Sequence, residues 1–255
     1  MNIISLQSGS TGNCFYVETQ GVRLLFDAGI SGRAAQQRLE QHCRDIRDVD
    51  ALFVTHDHSD HSRSIGVFQR KFGMPVYITR KTLAAVNRGS KIGLLSEVRY
   101  FTAGEVCTVK GVQIHSIPTP HDSADGVAFV VDDGTHRVGI LTDLGHVFEG
   151  LKEVLRSLDA VILESNYDEK MLDSGPYPYH LKDRIRGLGG HISNREAAEL
   201  LNECAPPQLK WACLCHLSHE NNSPEIALKT HQSTLSEAIQ LFVAKRDGCT
   251  EIMQL

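Results

Sequence analysis

Thr55-His56-Asp57-His58-Ser59-Asp60-His61 follows directly on the apolar run Ala51-Leu52-Phe53-Val54, and this stretch decides how the rest is read. Three imidazoles and two carboxylates within six positions would repel one another if protonated and gain little from packing. Neutral imidazole and ionised carboxylate are, however, the donors that borderline divalent cations prefer. Side chains repeat every second residue along a strand, which puts His56 and His58 on one side. The chain then has to turn, and Asp60 and His61 can reach a second point nearby. The spacing suggests two adjacent cations. A single ion, or a polar loop whose histidines bond to backbone, are the competing readings.

The rest of the chain is an ordinary globular sequence. Its 255 residues allow one large α/β domain or two small ones, and the whole of 1–255 reads as a single domain. At 41% hydrophobic and 22% charged it can build a core and is too weakly charged for disorder. A formal net charge of −5 excludes a generic polyanion binder, so any nucleic-acid contact must come from a local basic face. No run is long enough to cross a bilayer, and Met1-Asn2-Ile3-Ile4 lacks the features of a signal peptide. Seven cysteines without a disulfide-like framework read as reduced thiols in a cytoplasmic protein.

Around the histidine run the chain alternates strands and helices. Strands are expected at 2–6, 14–18, 22–26, 74–78, 98–101, 105–109, 112–117, 127–132, 137–142, 159–163 and 211–215. Helices are expected near 32–43, 62–72, 79–90, 151–158 and 193–204. The last helix is expected near 233–245, on the apolar spacing of Leu235, Ala238-Ile239 and Phe242-Val243. Residues 168–190, with two prolines and four glycines, read as irregular.

Chemistry-bearing residues recur where strands end. Asp27 closes the third strand and orients a metal-binding histidine or loop, caps the helix from about Gly32 to Cys43, or does both. His121 leaves the stiff Pro118-Thr119-Pro120 loop and is a candidate ligand. Asp143 follows the strand 137–142 as a bridging ligand or a helix cap. The loop Gln7-Ser8-Gly9-Ser10-Thr11-Gly12-Asn13 could hold phosphate oxygens, through Ser10 and Asn13 among others, or form a plain turn. Arg80, Lys81 and Arg88 give the helix 79–90 a basic face, either simply solvated or a polyanion surface.

Taken in order, Asp27, the His56–His61 run, His121, Asp143 and His216 resemble the five motifs of the metallo-β-lactamase superfamily. Ser8–Asn13, Leu163-Glu164-Ser165-Asn166, Gly190-His191-Ile192-Ser193-Asn194 and Cys215-His216-Leu217-Ser218 with Asn221-Asn222 are similar to the YycJ/WalJ (VicX) branch, regarded as metal-dependent 5′–3′ DNA exonucleases. The resemblance implies a four-layer αββα sandwich with a dinuclear site at one edge between the sheets. It implies His56, His58 and His121 on the first ion and Asp60, His61 and His216 on the second. Asp143 would bridge them, with Asp27 behind the ligands. The ions would be zinc or manganese, with iron a third option. It further implies phosphodiester hydrolysis of DNA by a metal-activated hydroxide that Asp60 orients. The chemistry of the leaving oxygen makes His191 the candidate general acid, with Glu164 holding its tautomer; a helix-start histidine without a role and a buried hydrogen-bonding glutamate are the competing readings. Only 73 positions separate Asp143 from His216, too few for the cap domain of the large RNA-processing members. Lys182, Arg184 and Arg186 then either hold flanking phosphates or form a solvated loop.

Three rivals stand beside this reading. One is a small-molecule hydrolase of the same fold, acting on a thioester, lactone or cyclic phosphodiester. Another is a metal-stabilised interaction protein without catalysis. The last is a separate thiolate zinc site at Cys204, Cys213 and Cys215.

Overall fold

The computed structural model describes residues 1–235 and 239–255. The chain opens with β1 (Asn2–Gln7), β2 (Cys14–Thr19), β3 (Val22–Phe26), α1 (Gly32–Glu40), β4 (Ala51–Phe53), α2 (Ser59–Ser62) and α3 (Ile65–Phe72). It continues through β5 (Val76–Ile78), α4 (Arg80–Gly89), β6 (Val98–Tyr100), β7 (Val106–Val109), β8 (Val112–Pro118), β9 (Val127–Asp132) and β10 (Arg137–Leu141). It ends with α5 (Glu149–Leu155), β11 (Ala160–Glu164), α6 (Glu169–Ser174), α7 (Tyr179–Arg186), α8 (Asn194–Cys204), β12 (Trp211–Cys215), α9 (Pro224–Thr234), β13 (Gln240–Val243) and β14 (Met253–Gln254).

These elements form two compact units. The first holds Met1–Pro118, Ser123–Val127 and Lys245–Gln254; the second holds Thr119–Asp122, Ala128–Ala244 and Leu255. The first unit carries a mixed sheet in the order β14-β1-β2-β3-β4-β5-β6. Its β1, β2 and β3 are antiparallel, and β3 through β6 run parallel. Gln20 and Gly21, both at positive φ, make the tight link from β2 to β3, as hairpin twist requires. Leu25, Leu52, Val76 and Ile78 of the sheet bury themselves against Ala35 and Leu39 of α1 and Ile65 and Phe68 of α3. Each such side chain contributes roughly 1.5–3 kcal/mol of transfer free energy.

In the second unit β9 and β10 are antiparallel, while β10, β11, β12 and β13 run parallel. Parallel strands read as continuous apolar runs because both faces are covered, and Ala160–Glu164 and Trp211–Cys215 are buried throughout. The turn into α8 is set by a reciprocal capping box between Ser193 and Glu196. Ser223 caps α9, with Pro224 at its first position.

Two sequence expectations fail here. Residues 168–190 are not irregular: α6 is capped by Asp168, whose carboxylate accepts from Met171 N at 2.9 Å, and α7 starts at the residue after Pro178. The prolines and glycines mark the ends of two short helices, too short to show a period. The expected helix at 233–245 is also wrong. Gln240–Val243 is a strand paired in parallel with β12, Phe242 opposite Cys213, and α9 lies upstream of it. The 235/239/242 spacing fits a helix by coincidence, and Ala238 lies outside the described residues. No described helix is long and apolar enough to cross a membrane.

Candidate metal and catalytic centre

In the first unit the site is built on the loop after β4. His58 occupies the N-cap position of α2 without using its side chain as a cap, so the imidazole is left to other work. Asp60 and His61 fall in the single turn that follows. The ring centroids of His56 and His58 lie 4.6 Å apart, and those of His56 and His61 4.2 Å. His61 Nε2 lies 3.4 Å from Asp60 Oδ2.

Asp27 organises this loop from beneath. It is fully buried at φ 64°, a left-handed conformation that aspartate tolerates better than most residues. Its Oδ2 accepts from His61 Nδ1 at 2.6 Å, and its Oδ1 accepts from Thr55 N at 2.8 Å. The Thr55 hydroxyl donates to the same carboxylate at 2.9 Å, which leaves Thr55 Oγ1 to accept from His56 Nδ1, also at 2.9 Å. One carboxylate therefore fixes the tautomer of His61 directly and that of His56 through a threonine. The capping reading of Asp27 falls: Ser31 caps α1, accepting from Ala34 N at 3.1 Å.

The backbone is drawn just as close. Ala28 N donates to His61 O and Asn13 N to Asp60 O, each at 2.8 Å, and Gly29 N donates to Asn13 O at 2.9 Å. A Cβ on Gly29 would sit 1.5 Å from Asp60 O, so only glycine fits there. Asn13 is fully buried and does not point outward as a phosphate-holding residue would. Its Oδ1 accepts from Ser8 Oγ and Gly9 N, and its Nδ2 donates to Gly9 O and lies 2.9 Å from His61 Nε2. Ser10 is exposed at the tip of the same loop.

In the second unit, Asp143, Glu164, His191 and His216 place ligand-type atoms all within 4.8 Å of one another. Asp143 and His216 follow β10 and β12, both at φ 55°. Glu164, fully buried at the end of β11, is the hub. Its Oε1 accepts from His191 Nδ1 at 2.7 Å and from His216 Nδ1 at 3.2 Å, and its Oε2 accepts from Leu144 N at 3.0 Å. Burial alone would raise the Glu164 carboxyl, but the His191 charge and the hydrogen bonds from His191 and His216 outweigh it and hold it down, at about 2. His121 Nδ1 donates to Gly190 O at 2.9 Å, and its Nε2 lies 3.6 Å from Asp143 Oδ1. The His121–His191 and His191–His216 ring centroids are 5.1 and 5.2 Å apart.

A polar brace holds these strand-end loops. Asn166 Nδ2 donates to His216 O at 2.7 Å, Asn222 Nδ2 donates to Ser165 O and Asn194 Oδ1 at 2.9 Å each, and Ser165 Oγ donates to Asn194 Oδ1 at 2.6 Å. These are the Ser165-Asn166, Ser193-Asn194 and Asn221-Asn222 signatures. Their role is to fix β11, α8 and β12 against one another, which spacing alone could not reveal.

The basic residues of α7 already have partners. Lys182, only 9% exposed, gives its ammonium to Asp173 O at 2.7 Å. Arg184 Nε donates to Asp122 Oδ2 at 2.6 Å, and Arg186 pairs with Asp173. His146 bonds through Nδ1 to Leu188 O at 2.8 Å. All seven cysteines are free. Burial pushes the Cys213 thiol up to about 12, and no cluster of ligand-type side chains among the described residues includes a cysteine, so nothing favours a thiolate zinc site.

The donor set fits divalent cations. His56, His61, His121, His191 and His216 are all anchored through Nδ1, which leaves Nε2 as the nitrogen for a cation or, at His191, for a proton. Anchoring of the second ring nitrogen is what metal-ligating histidines show.

Comparison with known proteins gives the following. Residues 22–216 match the family described as Beta-lactamase superfamily domain. The chain is similar to "Exodeoxyribonuclease YycJ" of Bacillus anthracis, 36% identical over 91% of this chain and 88% of that protein. It is equally similar to "Exodeoxyribonuclease WalJ" of Streptococcus pneumoniae, 36% identical over 91% of this chain and 87% of the other. Among solved structures, the metallo-beta-lactamase fold protein YhfI from Bacillus subtilis superposes with a TM-score of 0.74 at 17% identity, over 98% of both chains.

Proposed function

Since this chain belongs to the metallo-β-lactamase superfamily and has its fold, we propose that it is a metal-dependent exodeoxyribonuclease that degrades DNA in the 5′–3′ direction in the cytoplasm. The observation that carries this reading is the Glu164–His191 pair. A buried carboxylate holds the Nδ1–H of a one-fifth-exposed imidazole at 2.7 Å, beside Asp143 and His216. That is the arrangement of a general acid with a fixed tautomer. The names of the curated relatives support the substrate class.

By the family pattern, His56, His58 and His121 would hold one divalent ion, zinc or manganese, and Asp60, His61 and His216 the second, with Asp143 common to both. When bound, such ions supply Lewis acidity and bring the pKa of water toward about 7. The protein's own groups do the rest. Asp60, in the first turn of α2, orients the attacking water. His191 delivers a proton from Nε2 to the leaving oxygen. Glu164 keeps the proton on Nδ1 before the step and stabilises the imidazolium between turnovers. Asp27 with Thr55 keeps His56 and His61 from turning. Arg184 lies at the surface, where it could exchange Asp122 for a phosphate.

The test is hydrolysis of end-labelled single- and double-stranded DNA by protein stripped of metal and then given Mn²⁺ or Zn²⁺, beside His58→Ala. Stepwise release of nucleotides from the 5′ end, absent in His58→Ala, is the expected result. Turnover of a thioester or lactone without any attack on DNA would replace the nuclease by the small-molecule hydrolase.

A further inference from the structure

From His61 to Ser96 the sequence contains seven arginines and lysines and no aspartate or glutamate, in a chain of net charge −5. Several of these cations are already engaged. Arg70 Nη1 donates to Ile92 O at 2.7 Å, and Lys81 Nζ pairs with Asp125 at 3.2 Å. Arg80, Arg88 and Lys91 have no carboxylate partner among the described residues. They lie on α4 and just beyond it, all exposed.

Next to them is an unusual aromatic. Tyr100 ends β6, the terminal strand in the sheet order of its unit, and is 44% exposed. The Arg80 guanidinium lies over its ring, 4.0 Å from the centroid. Leu94, 93% exposed, Leu83, Asn87 and Lys91 line a cleft of about 560 Å³ with Tyr100. An aromatic ring, an apolar wall and the cation Lys91 along one cleft, with Arg80 and Arg88 exposed on the helix beside it, match the chemistry of an unpaired nucleotide chain, whose bases stack and whose phosphates need charge.

One end of the cleft, at Tyr100, lies at the working edge of its sheet. Strands β4, β5 and β6 are parallel, with Phe53 beside Tyr77 and Ile78 beside Tyr100. The His56–His61 loop, the start of α4 and Tyr100 therefore all leave the same strand ends. Two interstrand spacings separate β4 from β6, roughly 10 Å.

We infer that the α4–β6 cleft is a binding surface for single-stranded DNA, with bases stacked on the Tyr100–Arg80 pair and phosphates on Lys91 in the cleft and Arg88 beside it. This rests on the nuclease reading and names where that substrate's strand is held. The cleft would act on strand capture, leaving the chemistry to the histidine centre.

The test is fluorescence anisotropy of a labelled 15-mer of dT with metal-stripped protein in EDTA, so that no cleavage intervenes. Tyr100→Ala and the double variant Arg88→Glu/Lys91→Glu are each expected to weaken binding by about 10-fold or more. Tyr100→Phe should bind like the wild type. The double variant should also flatten the dependence of log K on log salt by roughly 1.4, two phosphate contacts on a single strand. Metal-reconstituted variants should hydrolyse bis(p-nitrophenyl) phosphate within twofold of the wild type, which reports intact folding. Wild-type-like dT binding by both altered proteins overturns the inference, as does binding only to duplex DNA or only to an RNA 15-mer. If the variants lose dT binding but wild-type protein given metal degrades no DNA, the cleft stands and the nuclease reading falls.

Discussion

The carboxylate of Asp27 is the part of the site whose removal has the most traceable consequence. Asp27→Asn keeps the size and the tolerance of the left-handed φ of 64°, so the backbone is not the variable. It changes one oxygen into an NH₂. Whichever way the amide is turned, a donor then faces a donor, either Thr55 N–H at 2.8 Å or His61 Nδ1–H at 2.6 Å. The less costly escape is for His61 to move its proton from Nδ1 to Nε2. Nε2 then has no lone pair for a cation, and its new N–H points at Asn13 Nδ2, 2.9 Å away. His56, held through Thr55 Oγ1, loosens as well. Loss of such an orienting group typically costs 10–100-fold in metal affinity, equivalent to about 1.4–2.8 kcal/mol. The assay is competition for Zn²⁺ or Mn²⁺ against a chelator of known affinity, with urea unfolding of the metal-free protein alongside. Metal-free stability should fall by about 1–3 kcal/mol for the buried donor left unsatisfied. A metal affinity within threefold of the wild type would refute the argument that Asp27 sets the tautomer.

Other outcomes follow from the same contacts. His191→Asn should lower DNA hydrolysis by roughly 10²–10⁴-fold while sparing substrates with p-nitrophenolate leaving groups, which need no proton. Equal losses on both would remove the general-acid role. Gly29→Ala, with its Cβ 1.5 Å from Asp60 O, should displace the Asp60–His61 turn and abolish stoichiometric metal binding, read by equilibrium dialysis. His231 is buried in α9 with Nδ1 donating to Ala227 O at 2.9 Å, and desolvation pushes its pKa down from 6.5 to about 4. The unfolded chain therefore binds the proton first as pH falls, so the stability is present above about 6.5 and lost between 6.5 and 4, by about 3 kcal/mol. The difference in urea stability between wild type and His231→Leu, both metal-free, should shrink by that amount across the window, and parallel pH profiles would count against it.

How much of this could be read from the sequence depends on the range of the interaction. The strands through Cys215 were legible because each is a short-range apolar run, and Asp27, the His56–His61 run, Asp143 and His216 stood out as polar residues where such runs end, His121 as one leaving a stiff proline loop. The two helices within 168–190 were not, since six and eight residues show too few turns for a period, and their prolines and glycines signal loop. The strand at 240–243 escapes periodicity because the apolar triplet Leu241–Val243 takes its conformation from its neighbour, β12. Asn13 and Thr55 were misjudged or missed because hydrogen bonds to His61 and His56 depend on how loops fold back.

One feature of the backbone ties the legible and the illegible parts together. Asp27, Asp143 and His216 are the chemistry-bearing residues directly beyond β3, β10 and β12, and all three lie at φ between 55° and 64°. Left-handed backbone at a non-glycine costs roughly 1–2 kcal/mol, and strand-end strain of this kind persists only where the surroundings over-determine it. Here they do. Asp27 N donates to Phe53 O at 2.8 Å while its carboxylate is held by Thr55 and His61, and His216 O is held by Asn166 Nδ2 at 2.7 Å. Glycine would relieve the backbone and lose the polar side chain; alanine would keep the strain and lose it too. Aspartate and histidine tolerate that backbone better than most side chains, so residue types that can take the reversal and also supply polar chemistry collect at these strand ends, and the sequence pattern stands out for that reason.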